Sequence, residues 1–237
     1  MKSNTSHQRS GFTLVELLVV IVIIVTLAGV AYPKLLSMVK QGDRIAAVKN
    51  GQQLILALND FANDYGSFPD KETAKEVTVK TGSTLNLSGD TANDYFRQVI
   101  ASGLKSEDPF FAKTSVSHKP DNVMKPDTEC LKGGEVGFAY IMNGTASAAT
   151  AISNDDPNRV IAVTPLYNNS AKGEFDAGPF DQKAVFVYVD SSVRPMTIRQ
   201  DNKKVVITGS KTLLDTGDNT VWGTDIKPVI KVPKKKS

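Results

Sequence analysis

The chain has 237 residues, with 28 Lys and Arg against 25 Asp and Glu, two His and one Cys. The net charge of +3 falls to +1 when Lys2 and Arg9 in the first eleven residues are set aside, so the body is not strongly basic and nucleic acid is not an expected partner. A single cysteine, Cys130, excludes an intramolecular disulfide and any metal cluster built on cysteine.

The first readable element is Gly11 to Pro33, GFTLVELLVVIVIIVTLAGVAYP. Phe12 to Tyr32 is 21 residues, almost all apolar, with no Lys or Arg. A helix of that length spans roughly 30 Å, about the hydrocarbon thickness of a bilayer. The basic residues ahead of it predict a single pass with the N-terminus in the cytoplasm and the rest of the chain outside. Glu16 is the anomaly, because an acid inside an apolar span needs a partner and a task. If the chain is cut after Gly11, Glu16 lies one helical turn from the new amine of Phe12. It could pair with that amine, or with the amine of a neighbouring chain, offsetting the burial of both charges.

The run Gly11-Phe12-Thr13-Leu14-Val15-Glu16, behind a short basic leader and before a long apolar helix, resembles the processing signal of type IV pilins and type II secretion pseudopilins. The resemblance implies a leader of residues 1–11, removed by a prepilin peptidase, N-methylation of Phe12, and a role for Glu16 in docking subunits. An ordinary secretory signal has a shorter apolar core and a small-residue cut site behind it. Many type IV pilins close a C-terminal loop with a disulfide, and the lone Cys130 departs from that pattern.

Pro33 follows the apolar run, where a kink is expected rather than a stop. Beyond it Ala47, Leu54, Leu58, Phe61 and Tyr65 fall on one helical face. Gly42 and Gly51 each weaken the helix by about 1 kcal/mol relative to alanine. The pattern predicts one long helix from Phe12 to Tyr65, ended by Gly66, with residues 12–33 as membrane or filament core and 34–66 as an amphipathic half. Asn63 to Pro69 also looks like the end of the first helix in major pseudopilins.

Residues 67–237 are the expected globular head. Residues 70–134 read as a long polar connection containing one helix, Asn93 to Leu104, capped by Asp90 or Thr91, and an ordered Asp108-Pro109-Phe110-Phe111 loop with both aromatics buried. Ser115 to Lys132 has no period, and Pro120 and Pro126 argue against regular structure there. Strands are expected at 137–142, 159–164, 183–190, 193–199 and 204–208, with a turn at Asp190-Ser191-Ser192. The 184–190 run resembles the strand and turn that close the sheet in pseudopilin heads. Lys231, Lys234, Lys235 and Lys236 read as a frayed, solvated tail.

The fold expected is α+β: a long N-terminal helix whose amphipathic half covers an antiparallel sheet. No catalytic constellation is legible, so no enzyme is expected; His7 lies in the leader and His118 in a loop. No cofactor is expected either. Asp215, Asp218 and Asp225 are calcium candidates around a glycine-bearing turn, against the plainer reading of a polar turn before Val221-Trp222. Major pseudopilins are similar in binding calcium in a C-terminal loop, but the spacing here does not match an EF-hand.

The expected function is structural: a subunit cleaved after Gly11, methylated at Phe12 and assembled into a type II secretion pseudopilus or a type IV pilus. The partners implied are the prepilin peptidase, other copies of the chain, minor pilins or pseudopilins, the inner-membrane assembly platform, and membrane lipid before assembly. The head would be periplasmic, or extracellular after assembly. The alternative is a single-span anchored periplasmic or surface binding protein that does not polymerise.

Overall fold

A computed structural model describes residues 13–124 and 130–236. It divides into two units, residues 1–39 and residues 40–237. Helix α1 (Leu14–Tyr65) runs unbroken through Pro33. In the first unit its side chains are almost all exposed, and its most apolar 18-residue window has a mean hydropathy of 2.9 with none of it buried. A helix so long and apolar meets the length and composition needed to cross a membrane.

The second unit holds the remaining elements: α2 (Lys71–Thr81), α3 (Ala92–Ala101), β1 (Ala139–Gly144), β2 (Ala149–Thr150), β3 (Val160–Thr164), β4 (Lys183–Tyr188), β5 (Val193–Thr197), β6 (Val206–Thr208), β7 (Lys211–Thr212) and β8 (Pro228–Lys231). Strands β2-β1-β3-β4-β5 form one antiparallel sheet, with β8 also paired to β1; β6 and β7 form a separate ribbon. The centre of the sheet is apolar on both faces: Val160–Thr164 and Ala184–Tyr188 are buried throughout. β5 is the exposed edge and carries Pro195, a residue that a sheet tolerates at an edge because it cannot donate to a ladder. The fold is α+β, as expected from the sequence.

From Lys40 onward α1 packs on this sheet through Ala47, Gly51, Leu54, Ile55, Leu58, Phe61 and Ala62. That face holds Ala47, Leu54, Leu58 and Phe61 of the stripe read from the sequence and adds Gly51, Ile55 and Ala62, while Tyr65 is half-buried. Gly51 marks the close approach of helix and sheet, since a Cβ there would lie 3.1 Å from Val187 Cγ2 and 3.2 Å from Val193 Cγ1. Its cost to helix propensity is therefore offset by packing. Gly51→Leu is expected to lose about 1–3 kcal/mol through overpacking. Denaturant unfolding followed by the fluorescence of the single tryptophan, Trp222, buried with its indole N–H on the Leu213 carbonyl, reads this directly.

Two expectations need correction. The connection after Pro69 contains α2, disguised by its charge. Asp70 Oδ1 accepts the amides of Glu72 (2.8 Å) and Thr73 (2.9 Å), and the Thr73 hydroxyl accepts the Asp70 amide (2.8 Å). This reciprocal cap, with Gly82 at φ 64 at the far end, sets the helix, and Thr73, Ala74 and Val77 bury its narrow apolar face. The C-terminus is also not a frayed tail. β8 pairs with β1, and the Lys231 side chain is 4% exposed, with Nζ on Asp90 (2.6 Å) and the Ala146 carbonyl (2.7 Å). Lys234 donates its amide to Asn93 Oδ1 (2.7 Å) and its ammonium to Asp94 (3.0 Å). Lys235 and Lys236 are exposed.

The smaller expectations hold closely. The five expected strands appear, shifted or shortened by a few residues, and α3 begins after Thr91. The 108–111 loop is corrected in one respect: both aromatics were expected to be buried, but only Phe110 is, and Phe111 is half-buried.

Candidate functional site

The start of α1 is the chemically distinctive part of the first unit. Thr13 is the residue before the first helical turn, and Glu16 is the acid within that turn. The Thr13 amide donates to Glu16 Oε2 at 2.8 Å, and the Thr13 hydroxyl donates to the same oxygen at 2.9 Å. The Glu16 amide points to the Thr13 hydroxyl oxygen at 3.2 Å. Threonine and glutamate three residues apart thus form a capping box, which satisfies amides that the first helical turn leaves without carbonyl partners. The carboxylate also lies at the positive end of the helix dipole. Thr13 was missed in reading the sequence, although the Thr-x-x-Glu spacing was there to find it. Gly11 and Phe12 lie outside the described residues.

Beyond Glu16 the helix presents Leu17 to Val25 as an uninterrupted exposed apolar surface. Thr26 is the polar exception, and its hydroxyl returns to the Ile23 carbonyl at 2.9 Å, so it adds no unpaired donor to the surface.

The other singled-out residues lie in the second unit. Asp215 Oδ2 accepts the amide (2.7 Å) and hydroxyl (3.0 Å) of Thr212, which hold its carboxyl below the usual range. Asp218 and Asp225 are exposed, and Gly217 and Gly223 bridge the turn between them. These three aspartates do not form a carboxylate trio within ligand distance; among the described residues that arrangement occurs only at Glu107, Asp121 and Glu135. His118 is half-buried, with its amide on the Gly134 carbonyl at 2.8 Å. Cys130 is a buried thiol pushed up to about 12 by burial and by the charge of Glu107, which leaves it neutral.

A long apolar N-terminal helix joined to an antiparallel sheet defines a pilin-like α+β protein. Residues 6–32 match the family model described as the prokaryotic N-terminal methylation motif. The chain therefore carries the signature of type IV pilins and pseudopilins, proteins that are structural rather than enzymatic as a class. No curated protein and no solved structure matches the chain.

Proposed function

We propose that this chain is a filament-subunit precursor, cut after Gly11, N-methylated at Phe12 and polymerised through the apolar half of α1 into a type II secretion pseudopilus or a type IV pilus. One observation carries the reading: a long exposed apolar helix with a single carboxylate in its first turn, both falling inside the methylation-motif match at residues 6–32. Before assembly the apolar half sits in the inner membrane as a single pass, with the second unit outside the cytoplasm. In the filament the same surface is buried against copies of itself, so apolar packing retained from the bilayer holds the core. No charge other than Glu16 enters that core between Leu14 and Tyr32.

Glu16 supplies the register. Thr13 holds one of its oxygens, Oε2. The other is offered to the amine of Phe12, either its own or that of a neighbouring subunit. A neighbour's amine at this position fixes the axial stagger between chains, because a slip of one turn leaves two charges unpaired in an apolar core. Partners follow from the same reading: a prepilin peptidase that cuts and methylates, an assembly platform, and further subunits.

The test is mass spectrometry of the N-terminal peptide of the native protein, in membrane and sheared-surface fractions. The expected peptide begins at methylated Phe12. Its presence in the sheared fraction identifies an extended pilus, and confinement to the membrane fraction identifies a short periplasmic pseudopilus. An intact leader, or a cut beyond Tyr32, overturns the proposal in favour of an anchored or simply secreted protein.

A further inference from the structure

We propose that Glu107, Asp121 and Glu135 form a binding site for a hard divalent cation of calcium's size, in the loops between α3 and β1. The three acids come from separate loop segments, yet one carboxylate oxygen from each lies within 4.8 Å of the others. Oxygens bound to one calcium at about 2.3–2.6 Å stand no more than about 5 Å apart, so this set fits around a single ion. The donors are all carboxylate oxygens, which suits calcium and not a transition metal that prefers nitrogen or sulfur.

Burial separates this cluster from an ordinary acidic surface patch. Glu107 is fully buried and Glu135 is 1% exposed, while Asp121 is exposed and opens the cluster to solvent. Glu107 Oε1 accepts the Leu131 amide, but Oε2 is buried without a hydrogen-bond partner among the described residues. A buried carboxylate oxygen left without a donor, beside two further acids, is a costly arrangement for the protein alone. Lys132 pairs with the exposed member of the trio, its Nζ lying 2.9 Å from Asp121. A bound divalent cation removes both faults at once, since it gives Oε2 a partner and balances the charge.

The backbone around the trio is already arranged to hold it. The Lys132 and Asp121 amides donate to the two oxygens of Glu135, and the Glu107 amide donates to Asn122 beside Asp121. The bound ion would pin the 105–124 loop to the 130–136 turn. Arg97 and Asn93 of α3 hold the same turn through its Cys130, Leu131 and Lys132 carbonyls. Cation binding is thereby coupled to the stability of the second unit. The site does not depend on whether the chain polymerises, and it is separate from Asp215, Asp218 and Asp225.

The experiment is thermal unfolding of the full chain in detergent micelles, stripped with chelator and titrated with calcium chloride. The melting temperature is expected to rise by several degrees, and less with magnesium at the same concentration. Asp121→Asn, at an exposed position, and Glu107→Gln, an isosteric change, are each expected to weaken the calcium response at least tenfold. Asp218→Asn is expected to leave it unchanged. In chelator Glu107→Gln is expected to melt no lower than the parent, because it removes an unpaired buried charge. No shift at ten millimolar calcium overturns the site. So does a shift that survives in Asp121→Asn and Glu107→Gln, or one abolished by Asp218→Asn, which would place the ion in the C-terminal turn.

Discussion

Glu16→Ala chains are expected to lose their leader normally and to be nearly absent from sheared filaments. The cut lies ahead of the helix, and alanine lengthens the apolar run without interrupting it. Insertion is helped if anything, because a carboxylate at the centre of a span costs about 2.5–3.5 kcal/mol and a smaller penalty applies near its end. Loss of assembly would therefore come from the missing charge pair. Thr13→Ala separates that role from the local one. It removes the hydroxyl that caps the helix, worth about 0.5–2 kcal/mol, and leaves the carboxylate in place. A reduced but present filament yield is expected. If Thr13→Ala is as severe as Glu16→Ala, the acid acts through the capping box and not through an amine. Normal yield from Glu16→Ala, measured by shearing and quantifying the subunit against its membrane pool, refutes the charge-pairing role.

The parts of this protein that were legible in sequence are those written in local periodicity. The 21-residue apolar run, the stripe from Ala47 to Phe61 and the Val- and Phe-rich strand at 183–188 each need only a window of one element to be read. What escaped was written in caps and in distant pairs. α2 is a polar helix whose apolar face is only Thr73, Ala74 and Val77, and its signal is the Asp70–Thr73 box. β8 is four residues from a lysine-rich end, and its strand character comes from pairing with β1 about ninety residues earlier. Lys231 and Lys234 look solvated in sequence because their acids, Asp90 and Asp94, are 140 or more residues away. Glu107, Asp121 and Glu135 share no spacing that resembles a metal motif; folding alone brings them together. The Thr13–Glu16 box was readable, and the apolar run around it masked it.

The distant pairs lead to the largest stability effect expected in the second unit. Arg97 is buried on α3 and reaches three partners: Asp94 Oδ1 at 2.6 Å, the Cys130 carbonyl at 2.9 Å and the Leu131 carbonyl at 3.0 Å. Asp94, 1% exposed, is shared with Lys234 of the C-terminal segment and with the Thr91 amide and hydroxyl. One residue thus ties α3 to the turn before β1, and its acid ties α3 to the segment after β8. Arg97→Ala strips the fork from two buried carbonyls and leaves Asp94 with Lys234 as its remaining cation among the described residues. Breaking a buried pair by removing one partner costs about 3–5 kcal/mol, a large share of the roughly 5–15 kcal/mol that holds a typical domain. Arg97→Lys is expected to recover little, because an ammonium cannot reproduce the planar three-bond fork. Asp94 also sets an acid limb. Burial alone would raise Asp94, but the bonds from Thr91 and Lys234 outweigh it and hold the carboxyl below its usual value. Its contribution is therefore fully present above the ordinary carboxylate range and is lost as pH falls through the depressed value. Asp94→Asn should lower stability at neutral pH and flatten the loss below about pH 4, where the parent protonates and the variant has nothing to titrate. Urea unfolding at pH 7 and pH 3, followed by Trp222 fluorescence, measures both effects. An acid limb as steep in Asp94→Asn as in the parent would assign it to other depressed acids, such as Asp90 and Asp190.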